Sequence, residues 1–128
     1  MQANAMSPFT THLADAFRRF GPIETRRMFS GAGVYHQGVM FGLVVDEVLY
    51  LKVDDASRAD FTARGLGPFE YTRLGRRVQI GSFHQAPEEV LEDADAAAAW
   101  ARGAYEAALR ARKKTPARKA AKRGRKGK

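Results

Sequence analysis

The sequence predicts an α+β fold of two layers, an antiparallel sheet with helices on one face. Three observations predict it. Near the N-terminus, Phe9, Leu13, Ala16, Phe17 and Phe20 recur at spacings of three and four, which is one helical face. From residue 24 the period changes to short β-rich runs separated by two-residue turns, the mark of antiparallel neighbours. The strands also come in groups instead of alternating singly with helices, as a parallel sheet would require. A chain of 128 residues, 45% of them hydrophobic, supports one globular domain.

The elements follow in order. Ser7-Pro8 is a helix N-cap with Pro at the first helical position, and Gly21-Pro22 ends that helix, giving a span near 7–20. Glu24 to Phe29 is a short strand, Ser30-Gly31-Ala32-Gly33 a flexible corner, and Val34 to His36 a return to extended chain. Gln37-Gly38 turns into Val39 to Val45, apolar on both faces and so central in the sheet. Asp46-Glu47 turns into Val48 to Val53. Asp54-Asp55 caps a second helix near 55–64, closed by Gly65. Phe69 to Arg73, Leu74-Gly75 and Arg76 to Phe83 make a hairpin. Pro87-Glu88-Glu89 opens a helical turn, and Asp93 or Asp95 caps an Ala-rich helix through Trp100 to about Arg112, near 93–112. Trp100 is expected to anchor that helix on the sheet, with Ala neighbours allowing close approach.

The net charge of +8 is unevenly distributed. Residues 1–109 hold 11 basic residues against all 14 acidic ones, a balance of −3, and residues 110–128 hold the other 11 basic residues and no acid, a balance of +11. Divided at the expected end of the last helix, residues 7–112 are a domain with 13 basic against 14 acidic residues, a balance of −1, and 113–128 a Lys/Arg/Ala-rich tail with nine basic residues and no acid. The tail has nothing larger than Thr, Pro or Ala beside its cations to bury, so it is expected to be disordered. Lys113, Lys114, Arg118, Lys119, Lys122, Arg123, Arg125, Lys126 and Lys128 can each displace a counterion from DNA or RNA. Without aromatics or a recognition element, such a tail binds without sequence specificity. The alternative is a solvated charge run. The tail resembles the Lys/Ala-rich tails of bacterial histone-like proteins.

On the strand 48–53, Leu49, Leu51 and Val53 point one way and Tyr50 and Lys52 the other. If the first set packs under the helices, Tyr50 and Lys52 stand on the open sheet face, where Arg26 or Arg27 could join them. That face could hold an acidic ligand, nucleic acid or a partner chain, the last being another protein or a second copy of this one. The alternative is a solvated face on which amphipathic side chains cover apolar neighbours.

Other chemistry is thinly represented. Zero Cys excludes a disulfide framework, a Cys-ligated zinc site, an iron–sulfur cluster and a thiol nucleophile. His12, His36 and His84 share no metal-ligand spacing, so no metal is expected. Gly31-x-Gly33 lacks the third glycine and following helix of a dinucleotide loop, and no phosphate-loop motif occurs, so no cofactor is expected. Glu88-Glu89 and Glu92-Asp93 are explained as helix-start acids. No catalytic residues are assigned. No run approaches 18 apolar residues and the first nine residues lack a signal-peptide pattern, so a cytoplasmic location, compatible with the nucleoid, and no membrane partner are expected.

Three blocks carry a resemblance to a known family: Arg26-Arg27-Met28-Phe29-Ser30-Gly31-Ala32-Gly33-Val34-Tyr35, then Gly38-Val39-Met40-Phe41-Gly42-Leu43, then Leu49-Tyr50-Leu51-Lys52-Val53-Asp54. With Phe69-Glu70-Tyr71, Gly75-Arg76, the stretch Pro87 to Asp93 and Trp100, the sequence over about 7–112 resembles the TfoX/Sxy N-terminal domain. The resemblance implies the element order α-β3-α-β2-α, no catalytic residues, and an association with regulation of natural competence genes alongside the cyclic-AMP receptor protein. Ser30 stands where the family usually has Gly. The family's full-length regulators carry a second domain where this chain has its basic tail. The resulting expectation is a non-enzymatic regulatory or accessory domain tethered to nucleic acid by its tail. The alternatives are a ligand-binding or enzymatic domain using the sheet face, and a chaperone-like dimeric assembly module.

Overall fold

The computed structural model describes residues 8–28 and 31–126, with side chains at 9–28 and 31–113. The expected Ser7 cap, Phe29, Ser30 and Lys128 lie outside the described residues. The elements are α1 (Pro8–Ala16), β1 (Glu24–Met28), β2 (Gly31–His36), β3 (Val39–Val45), β4 (Val48–Lys52), α2 (Arg58–Thr62), β5 (Pro68–Arg73), β6 (Arg76–Gln85), α3 (Glu89–Glu92) and α4 (Ala94–Lys126). The strands form one sheet in the order β1-β2-β3-β4-β6-β5, with all neighbours antiparallel. The fold is α+β, as the sequence predicts, and the doubly apolar β3 is central.

Four details differ from expectation. Four strands precede α2, as the extended runs of the sequence allow, against the three that the family resemblance implies, because β1 pairs with β2 along its full length, from Glu24↔Tyr35 to Met28↔Gly31. Its charged sequence suits an edge. Gly31 to Gly33 is not a corner but the start of β2. A Cβ at Gly31 would lie 1.9 Å from the Val44 carbonyl oxygen, so close strand approach demands the glycine there. The first helix ends at Ala16, and turns carry the chain to Gly21, whose amide donates to the Phe17 carbonyl at 3.1 Å. The unwound segment lets both Phe17 and Phe20 pack on Phe41, at centroid distances of 5.6 and 5.3 Å. Finally, the last helix does not stop near Arg112, and 113–126 is helical where disorder was expected. Ala, Lys and Arg are good helix formers, so a charge run with nothing to bury still follows the helix it continues.

The core lies between the sheet and the helices. Leu49, Leu51 and Val53 are buried, as their alternation predicts, with Val34, Val39, Phe41 and Val44 beside them. The β2–β3 register jumps from Tyr35↔Met40 to Val34↔Gly42, making Phe41 a bulged extra residue in the core. Leu13, Phe17, Phe61 and Val90 cover this layer from α1, the turn after it, α2 and α3. Helix α4 packs on β3 and β4 and contributes only alanines to the buried core: Ala97, Ala101, Ala104 and Ala108, at helical spacing.

Trp100 is not the anchor to the sheet. It is half-buried and packs edge-on against Phe61 at 5.1 Å, tying α4 to α2. Asp93 caps α4, its Oδ1 accepting from the amides of Asp95 (2.9 Å) and Ala96 (3.3 Å).

The alanine seam makes an opposed pair of expectations. Ala101 is wholly buried, so Ala101→Leu should overpack the seam and cost about 1–3 kcal/mol in denaturant unfolding. Gly103, on the same helix, has open space where a Cβ would stand. Gly103→Ala should raise stability by about 0.5–1 kcal/mol in the same assay.

Candidate functional site

The sheet face away from the helices is open, and β4 sets its centre. Because Leu49 and Leu51 point into the core, Tyr50 and Lys52 stand on the opposite face, half-exposed. Cross-strand pairing sets their neighbours. One row runs Arg26, Gly33, Leu43, Tyr50, Gln85, and the next pairs Lys52 with Phe83.

The side chains on this face stack on one another. Tyr50 meets Phe69 edge-on at 4.9 Å, and Phe69 lies nearly parallel to Tyr71 at 5.9 Å. Lys52 Nζ sits 5.2 Å above the Phe83 ring, and the Arg26 guanidinium 4.5 Å above Tyr35. Gly33 makes room for this layer, since a Cβ there would fall 2.9 Å from Tyr35 Cε1 and 3.0 Å from Met28 Sδ. Burial against the sheet pushes the Lys52 ammonium pKa down, with Asp54 partly opposing. Burial pushes the Tyr50 phenol up, helped by the charges of Asp46 and Glu70.

Of the four expected sheet-face residues, three share the face. Arg26, Tyr50 and Lys52 do; Arg27, the next residue on β1, alternates to the other side and pairs with buried Ala32. The three do not form a compact cluster. Arg26 and Tyr50 are three strand spacings apart, about 14 Å. The result is a broad aromatic surface bearing two cations, one of them already paired, since Arg26 Nη2 lies 3.3 Å from Glu24 Oε1.

The tail cations divide at Lys113. Lys113 is exposed at the end of the described side chains. The side chains of Lys114, Arg118, Lys119, Lys122, Arg123, Arg125 and Lys126 lie outside the described residues, although α4 passes through them.

Polar residues that sequence reasoning passed over hold the helical layer together. Asp54, at the end of β4, accepts from Arg110 on α4 through Nε to Oδ2 (2.6 Å) and Nη2 to Oδ1 (3.1 Å), and from the Ser57 amide (3.2 Å). Glu89 accepts from Trp100 Nε1 at 2.6 Å and from Arg64 at 3.3 Å, so it does more than complement a helix start. Those two hydrogen bonds hold its carboxyl below the usual range. His36 and His84 are buried, each with Nδ1 against a backbone oxygen, Pro22 at 2.7 Å and Leu66 at 2.8 Å. A carbonyl only accepts, so each Nδ1 carries the proton. Nothing in the local sequence signals these long-range pairs. Among the described residues, no group of three His, Asp or Glu stands ready to hold a metal, and no helix is long and apolar enough to cross a membrane.

Residues 15–108, which span the whole sheet and the alanine seam, match the family model of the TfoX N-terminal domain. The chain belongs to that family. No curated protein matches it closely enough to add to this. The TfoX N-terminal match stops short of the cationic segment that begins at Arg110.

The Asp54–Arg110 pair predicts an acid-sensitive stability. The Arg110 hydrogen bonds foremost hold the Asp54 carboxyl at about 2, against an ordinary 3.8. With the folded-state pKa depressed, the contribution is complete above the unfolded value and lost as pH falls through about 2. Melting temperatures of the native chain and Asp54→Asn should differ most near neutral pH and converge towards pH ~2.

Proposed function

We propose that this TfoX N-terminal domain is a non-enzymatic accessory domain of transcription regulation, held on DNA or RNA by its C-terminal cations. The observation that carries the reading is the charge segregation: 11 basic residues and no acid over 110–128, behind a body with a balance of −3. Phosphate backbones attract such a segment through counterion release, whatever their sequence. A helix that begins in the core and continues to Lys126 joins the cations to the domain. In this reading the protein acts in the cytoplasm, at the nucleoid.

Three points support a role without catalysis. The family is in general not one of enzymes. The buried or paired polar groups have structural duties: Glu89 with Trp100 and Arg64, Asp54 with Ser57 and Arg110, the two buried histidines with backbone carbonyls. The open face is broad and aromatic, the character of a surface that meets another macromolecule. A protein partner or a second copy on that face would let the tail raise its local concentration on nucleic acid.

Deleting 113–128 should leave the fold intact and remove most affinity for duplex DNA. With about six of the tail's cations engaged at once, the tail should contribute about −5 to the slope of log K against log salt. A salt titration of both chains by fluorescence anisotropy checks this. Equal affinity and slope for the truncated chain would refute the tether.

A further inference from the structure

The hairpin of β5 and β6 extends beyond the body of the sheet. Strand β4 pairs with β6 only through Tyr50↔Gln85, Leu51↔His84 and Lys52↔Phe83, extended by one backbone bond at each end, from the Val53 amide to the Ser82 carbonyl and from the Ala86 amide to the Leu49 carbonyl, each at 2.9 Å. From Phe69↔Ile80 to Arg73↔Arg76 the two strands pair with each other alone. Five residues at about 3.4 Å each make a ribbon about 17 Å long. Arg58 braces its base from α2, donating through Nη2 to the Gly81 carbonyl at 3.3 Å.

The tip has an unusual composition. Three hairpins of the sheet turn through two residues with positive φ, Gln37-Gly38, Asp46-Glu47 and Leu74-Gly75. Such turns favour Asn, Asp or Gly. The first two place a polar residue at the leading position; the third places Leu74, at φ 53 and 89% exposed, the most exposed large hydrophobic side chain of those described. Around it stand Arg73, Arg76 and Arg77, all exposed. The arm's one carboxylate, Glu70, takes Arg77 at 3.5 Å and Gln79 at 2.6 Å. Among the described residues, Arg73 and Arg76 have no ion pair.

We propose that this arm is a second nucleic-acid contact, one that enters a groove of duplex DNA with its arginines on the phosphates and Leu74 as an apolar wedge at a base step. A two-stranded ribbon is narrow enough for a groove. Guanidiniums match phosphate geometry in pairs. An apolar side chain presented between arginines is the device by which groove-binding proteins unstack and kink a duplex. The proposal rests on nucleic acid being the partner, but not on the tail. The tail supplies affinity without deformation; the arm supplies a bend.

The test uses the full chain and a duplex carrying a donor and an acceptor dye at its ends, with binding and end-to-end energy transfer measured across salt concentrations. Leu74→Asn keeps a residue suited to positive φ, so the hairpin should form. It should abolish the protein-induced rise in energy transfer and leave the salt slope unchanged. Arg73→Ala/Arg76→Ala/Arg77→Ala should flatten the slope by about 2 to 3. If the native chain binds and neither variant alters bend or slope, the arm inference fails and the tether stands. If the native chain does not bind DNA at all, both fail. If Leu74→Asn changes the oligomeric state of the free protein with the bend unaltered, the arm is a protein contact and the inference is overturned.

Discussion

Helix α4 lies close on the sheet because the side it presents is alanine. Ala97, Ala101, Ala104 and Ala108 are at most 4% exposed, and Phe41, Leu49 and Leu51 fill the space beneath them. Alanine combines high helix propensity with a short side chain, so the helix can be long and still sit near the strands. That approach puts the apolar depth of the core in the sheet, and the rest of the structure follows from it. Val39 and Phe41 rise from β3 on either side of Met40, and the bulge at Phe41 turns an extra ring towards the helices. Helix α4 also carries the polar groups that fasten the other elements.

Those fastenings explain where function can reside. Arg110 reaches back to Asp54, and Trp100 meets Phe61, Arg64 and Glu89. The carboxylates and histidines of the helical layer thus hold helix to helix and loop to strand. None of the described helices covers the opposite sheet face. Its rings stack on one another in pairs, and two cations lie over rings instead of in a cleft. Such a face suits contact with a surface better than enclosure of a small molecule.

Charge is arranged along the same axis. The body has a balance of −3 and the cations follow from Arg110 onward, the residue that also locks α4 to Asp54. A residue that ties α4 to the rest of the domain is therefore also the first residue of the basic segment. The β5–β6 arm adds a smaller, separate basic feature with three arginines and a single acid. A charged segment supplies attraction at a distance, and a shaped arm can supply geometry at contact.

Much of the fold was legible in the sequence because its signals are local. Turn pairs such as Gln37-Gly38 and Leu74-Gly75 determine hairpins through backbone conformation, and the alternation in Leu49-Tyr50-Leu51-Lys52 determines which side chains share a face. That was enough to place Tyr50 and Lys52 on the open face and to separate an acidic body from a basic end. Pairings distant along the chain were not legible. The Asp54–Arg110 pair spans 56 residues, and His84 meets the Leu66 carbonyl across 18. Gly31 and Gly33 read as a flexible corner, yet a β3 carbonyl at Gly31, and at Gly33 the Tyr35 ring of the same strand with Met28 and Met40 of the neighbouring ones, stand where a Cβ would go. Trp100 read as an anchor to the sheet, but Phe61 and Glu89 draw it to the helices. Arg26 and Arg27 were equivalent in sequence until pairing with β2 assigned them opposite faces. Sequence alone determined periodicity, turns and charge balance, each a property of neighbours in the chain. Tertiary structure decided partners and faces, because these depend on which distant backbone arrives alongside.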